Sequence, residues 1–225
     1  SLPAHLGLIA LALAAQDAHA ATAAAETALR ALPDERALLL AAARAFQLAA
    51  QAQRVQELLA RFLALEPRSP LGFVQVAAFY RSGGDAAGVE RSLAAGLQAA
   101  PGYAPLQAAW VANLLDGGRE AEARAFVREL QRTQPAAPIG WLLAGELATR
   151  DGHHAEAASA YARALGLQPV GQIAWQHFVA SARAGQAAAA EASLRAWAGA
   201  HPQDAFVQAR LGDLALGRGE FTAAV

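Results

Sequence analysis

Few residues in this chain combine a type and a spacing that could do chemistry. His153 and His154 are adjacent, whereas helix-borne metal ligands converge only at i, i+3 or i, i+4. They read as exposed turn residues at a helix start. Glu120 and Glu122 could form an acid–base pair, but they fall at the beginning of a helix, where carboxylates complement the helix dipole. His177 stands on a helix with nothing in the sequence to support a ligand role. No GxSxG, GxGxxG or HExxH occurs, so the nucleophile elbow, the dinucleotide loop and the zincin helix are all missing. Cysteine is absent, which removes thiolate nucleophiles, disulfides and zinc–thiolate sites. No catalytic, cofactor-binding or metal residue is assigned. The chain reads as one that binds and positions.

Composition narrows the partners. The 225 residues are 55% hydrophobic and 16% charged, apolar enough to bury a core. A net charge of −1 creates no field favouring nucleic acid or an anionic membrane. No stripe of aromatic and basic residues suggests stacking on single strands, so no nucleic-acid partner is expected. The apolar run LGLIALALAA (6–15) lacks a basic flank and is too short to span a bilayer, so no membrane span is expected. Methionine is absent, and the chain is expected to be a piece of a longer protein. All 18 basic residues are Arg, in an alanine-rich sequence. That bias points to a GC-rich bacterial genome.

The elements that would carry any binding residues follow from a repeat. Pro33, Pro67, Pro101, Pro135 and Pro169 recur every 34 residues, and Pro202 follows after 33. Proline cannot sit inside a helix without losing a hydrogen bond and clashing with the preceding turn, so a proline at fixed phase marks a fixed helix end. Gly84, Gly118, Gly152, Gly185 and Gly219 recur at a second fixed phase, suited to the φ > 0 residue between two helices. Five positions later stand the small or β-branched residues Val89, Ala123, Ala157, Ala190 and Ala224, where the second helix can approach the first closely. Each unit is therefore two helices of about 13 residues, roughly 20 Å long, whose apolar faces are buried only by stacking on neighbouring units.

This figure resembles the tetratricopeptide repeat (TPR) family over essentially the whole chain. Residues 138–171 carry its pattern as Trp141, Ala144-Gly145, Ala148, Gly152, Ala157, Tyr161, Ala164 and Pro169. The resemblance implies an all-α fold, an α-solenoid of stacked antiparallel helix pairs wound as a right-handed superhelix. It divides the chain into units 2–35, 36–69, 70–103, 104–137, 138–171 and 172–204, with a partial seventh at 205–225. Trp141 and Trp175 fall on its aromatic position and are expected to pack between helices. Gln16 and Ala50 stand where glycine is expected, and unit six is one residue short, its first helix or turn absorbing a deletion. Local irregularity is expected at these places.

The resemblance also implies a partner: a protein or peptide segment in a concave groove lined by the first helix of each unit. The fifth, ninth and twelfth positions of the units supply the candidates Leu6, Leu40, Arg44, Gln47, Val74, Arg81, Leu142, Glu146, Gln176 and Arg183, with the arginines orienting acidic groups. Two specialised forms of the family are excluded. The carboxylate clamp needs lysines, and the chain has none, while its single asparagine, Asn113, is out of groove phase. The asparagine ladder of O-GlcNAc transferase would need Asn at positions occupied by Gly7, Ala41, Gln75, Ala109, Leu143, His177 and Arg210. The runs GWLLAGEL (140–147) and AWAGAHPQD (196–204) resemble the TPR lipoproteins of PEP-CTERM/exosortase systems, the PrsT family. That likeness implies an exported, envelope-associated scaffold for exopolysaccharide and protein sorting. The alternatives are a cytoplasmic adaptor and the non-catalytic array of a larger enzyme. The truncated seventh unit implies exposed apolar surface and end-to-end self-association.

Overall fold

The computed structural model describes residues 1–67 and 69–219. It is all-α, a solenoid of antiparallel helix pairs. The chain divides into two compact units, Ser1–Asn113 and Leu114–Val225.

The helices of the first unit are α1 (Leu2–Ala14), α2 (Ala18–Ala31), α3 (Arg36–Leu48), α4 (Ala52–Leu65), α5 (Leu71–Ser82), α6 (Ala86–Ala99) and most of α7 (Ala104–Asp116). In the second unit are α8 (Glu120–Thr133), α9 (Pro138–Arg150), α10 (His154–Leu167), α11 (Gly171–Ser181), α12 (Ala187–Ala200) and α13 (Ala205–Gly217). Within each unit successive helices pack together, as α3 does on α4 and α9 on α10, and alternate helices also meet, as α1 with α3 and α11 with α13. That is the contact pattern of a repeat array, in which every unit buries its apolar face on a neighbour.

Local signals set the boundaries. The helices α2, α4, α6, α8, α10 and α12 all have 14 residues. Each ends two residues before the phased proline, which cannot extend it. Asp17, Asp85 and Asp204 cap α2, α6 and α13, each accepting a bond from a backbone N–H three residues on, at 2.9, 2.8 and 3.2 Å. Between the paired helices the chain turns through a residue of positive φ, at Gly84, Gly118, Gly152 and Gly185, and Gly219 after α13 has the same conformation. The His153 N–H then reaches back to the Ala148 carbonyl at 2.8 Å, and Asp85 to Tyr80 at 3.0 Å, which satisfies carbonyls left open at the helix end.

The two expected irregularities resolve differently. Gln16 and Ala50 do not distort their turns. Both adopt φ of 56°, and the same backward bonds form, Asp17 to Ala12 and Gln51 to Phe46. The departure from glycine is met by strain in the residue itself. In unit six the missing residue is taken from the turn between α10 and α11. Three residues, 168–170, separate those helices, against four, 134–137, between α8 and α9. From helix cap to left-handed glycine, α11 matches α9: Val170 follows Ala137 by 33 residues, as Gly185 follows Gly152. The joint Ala182–Gln186 is a widened, π-like turn kinked at Gly185.

The cores are small-residue interfaces stiffened by a few large side chains. In the first unit Leu38, Leu39, Phe46, Leu58 and Phe62 are buried together. In the second, Ala148, Ala157 and Tyr161 form one cluster, and Phe178, Leu194 and Val207 another. Ala157, Ala164 and Ala123 are completely buried, so there the helix backbones meet with only a methyl between them. The partial seventh unit is described through α13 and Gly219; Ala224, expected at a close-packing position, lies outside the described residues.

Candidate functional site

A concavity of the second unit lies along its first-of-pair helices. Leu142 and Glu146 of α9, Trp175 and Gln176 of α11, and Phe206 of α13 line a hollow of about 540 Å³. The shortened turn contributes Gln168 and Val170 to its rim, and Gln172 and Ile173 of α11 complete it. The one-residue deletion decides which side chains face it. Because α11 runs 33 residues behind α9, Trp175 takes the place equivalent to Leu142, and Ala174 takes that of Trp141. Trp175 is therefore half exposed, and Ala174 is buried. As expected, Trp175 packs between helices, against the cluster of Phe178, Leu194 and Val207 that α11, α12 and α13 share. Trp141 itself is half buried and donates its indole N–H to the Pro135 carbonyl at 3.2 Å.

Aromatic faces and one carboxylate give the hollow its chemistry. Trp175 leans on Phe178 with ring centroids 5.0 Å apart. The Arg210 guanidinium lies 5.6 Å from the Trp175 ring and 5.3 Å from the Phe206 ring, and donates to Asp213 at 3.1 Å. Glu146 reaches solvent but lies within the concavity, crowded by protein. Burial alone pushes its carboxyl above the usual glutamate range, with no neighbouring cation to oppose it. The same charge adds to the upward shift of the Tyr161 phenol, which burial chiefly causes and a bond to Thr149 opposes.

A smaller hollow of about 260 Å³ lies between α11 and α12, with His177, Leu194, Trp197 and His201 among its walls. His177 stands 3.3 Å from the Ser181 hydroxyl through Nε2, and burial lowers its pKa. Trp197 stacks on His201 at 3.9 Å and donates to Asp204 at 3.0 Å. This cluster holds α12 to the cap of α13.

The remaining sequence candidates are spread apart. Leu142, Glu146 and Gln176 meet in the large hollow. Gln47 lines a separate hollow of about 320 Å³ in the first unit, with Tyr80, Asp85 and Arg91. Leu6 and Leu40 are half buried against the first unit's core, and Val74 packs beside Leu93 and Leu106. Arg44 is exposed, its guanidinium 5.7 Å from the Phe79 ring. Arg81 is exposed in the last turn of α5, and Arg183 in the kinked joint. Counting repeats of 34 misses Trp175, Gln172 and Phe206. The 33-residue interval from Gly152 to Gly185 signals the shift, but not its place. Among the described residues no group of three or more His, Asp or Glu could hold a metal ion, and no helix is long and apolar enough to cross a membrane.

No family model matches the chain, and neither does any curated protein. Solved structures do. The chain is similar to PilW, a widely conserved type IV pilus biogenesis factor, at 18% identity and a TM-score of 0.51, over 93% of this chain and 97% of that one. It is similar to a tetratricopeptide repeat protein from Parabacteroides merdae at 13% identity and a TM-score of 0.52, over 99% of this chain and 88% of that one. At these identities the likeness is one of fold, and the fold is that of tetratricopeptide repeat proteins.

Proposed function

We propose that this chain is a non-catalytic protein-interaction scaffold whose second unit receives an extended protein segment in the hollow between Leu142 and Phe206. The observation that carries this reading is the half-exposed Trp175 beside Phe206 and Leu142 in an open concavity. Apolar area left unpartnered in a concave surface, with a few polar groups among it, is what a peptide-binding site requires. Gln168, Gln172 and Gln176 add amide groups suited to the backbone of such a segment. The test is selection from a displayed random-peptide library. The native chain is expected to enrich peptides that Trp175→Ala with Phe206→Ala no longer binds. Enriched peptides indifferent to those substitutions overturn the reading.

On the first unit, Arg44 and Arg81 are exposed cations, as is Arg183 on the second, and we assign them to orienting acidic groups of a partner. Leu8, Leu11 and Leu216 are exposed, which supports end-to-end association of copies. The narrower reading, an exported scaffold in exopolysaccharide and PEP-CTERM assembly, is supported by the resemblance of residues 140–147 and 196–204. Fractionation of cells producing the tagged full-length protein tests it. Envelope residence favours it, and cytosolic residence replaces it with an adaptor or an enzyme's accessory array.

A further inference from the structure

Glu146 presents an anomaly inside the hollow. Among the described residues lining that hollow it is the one charged group. It makes no ion pair among the described residues, although the chain pairs most of its other carboxylates with arginine. Glu122, Glu129, Asp151 and Glu191, for example, each sit within reach of a guanidinium. The Glu146 carboxylate reaches solvent in the free protein, but an occupant that covers it without supplying a counter-charge meets a cost. The carboxylate is also an unspent attraction for an incoming cation, strengthened by the apolar walls around it.

The aromatic wall is already suited to cations. Arg210 already lies over both Trp175 and Phe206, with its charge met by Asp213, an arrangement in which these rings accept a cation and its stem. An apolar occupant would satisfy Trp175 but cover Glu146 and leave it unpaired. An acidic occupant would be repelled. A basic side chain satisfies both, its methylenes on the ring and its head on the carboxylate.

We propose that the hollow takes a lysine or arginine side chain of an extended protein segment, its charged head against the Glu146 carboxylate and its methylenes along Trp175. This rests on the reading that the hollow receives a protein segment, and it adds the chemistry that selects the segment. It is the reverse polarity of the role assigned to Arg44 and Arg81 on the first unit.

Peptides selected from the displayed library against the native chain test it. They are expected to share a Lys or Arg at one fixed place beside an apolar residue. A synthetic copy with that residue replaced by norleucine binds about tenfold more weakly, as loss of a charge-assisted bond requires. On Glu146→Gln, the parent peptide weakens by a similar factor and the norleucine penalty disappears. Glu146→Lys, selected afresh, turns the preference toward acidic peptides. Circular dichroism and melting of both variants establish that they are folded, as a side chain without partners predicts. The proposal is overturned if selected peptides lack a basic residue at a fixed place. It is also overturned if the norleucine penalty is undiminished on Glu146→Gln. Peptides that keep full affinity for Trp175→Ala with Phe206→Ala occupy another surface, and that outcome removes the underlying reading as well.

Discussion

Gly145 on α9 faces the ring of Tyr161 on α10 so closely that a β-carbon at position 145 would fall 2.5 Å from the ring's Cε1. The ring is buried and cannot swing into solvent. The glycine is there for want of room, and the tyrosine fills the space that it leaves.

Gly145→Ala is therefore expected to destabilise the protein, although alanine is the better helix former by about 1 kcal/mol. Overpacking costs about 1–3 kcal/mol, so the net loss in denaturant unfolding is up to about 2 kcal/mol. Unchanged or increased stability would show that the contact is slack.

Ala157→Leu probes the same pair of helices from the other side. Ala157 has no exposed surface, and a leucine must separate α9 from α10 or leave its rotamer, at about 1–3 kcal/mol. An unchanged melting temperature would falsify the close-packing role.

Gln16 and Ala50 hold φ of 56° where the other pair turns use glycine. The left-handed conformation costs an ordinary residue about 1–2 kcal/mol, and glycine gives back part of the gain as unfolded-state entropy. Gln16→Gly and Ala50→Gly should each stabilise by about 0.5–1 kcal/mol. Gly152→Ala should lose a similar amount through the backbone alone, since nothing lies within 4 Å of a β-carbon there. Thermal melts of the three variants would decide it; destabilisation by either glycine substitution is the contrary outcome.

Glu191 on α12 accepts from Arg218, the residue capping α13, at 2.8 Å and from Arg195 at 2.8 Å. The same two places, two repeats earlier, hold Arg124 and Asp151 with the charges exchanged. The Arg218 bond, then that from Arg195, pulls the Glu191 carboxyl down to about 2 from an ordinary 4.5, against a smaller opposing effect of burial. A depressed folded-state pKa gives stability that is whole above 4.5 and lost as pH falls toward 2. The melting-temperature gap between the native chain and Glu191→Gln should be widest above pH 4.5 and close near pH 2. A gap independent of pH would mean that the charge contributes nothing.

The sequence alone determined the helices, their pairing and their ends. Those features are local. A proline without an N–H stops a helix wherever it stands, a glycine admits positive φ wherever a turn needs it, and Ala157 and Tyr161 recur at spacings dictated by helical geometry. The TPR likeness was legible for that reason. Tertiary structure decided the rest. A deletion somewhere between Pro169 and Gly185 is visible in the sequence, but only packing of α11 against its neighbours places it in the turn at 168–170. That single residue puts Trp175 in the place of Leu142, at the edge of the hollow, and Ala174 in that of Trp141. Likewise repeat count places Glu146 at a groove position but does not reveal its surroundings. Its burdened carboxyl arises from side chains of three helices meeting around it, a relation that no local spacing encodes.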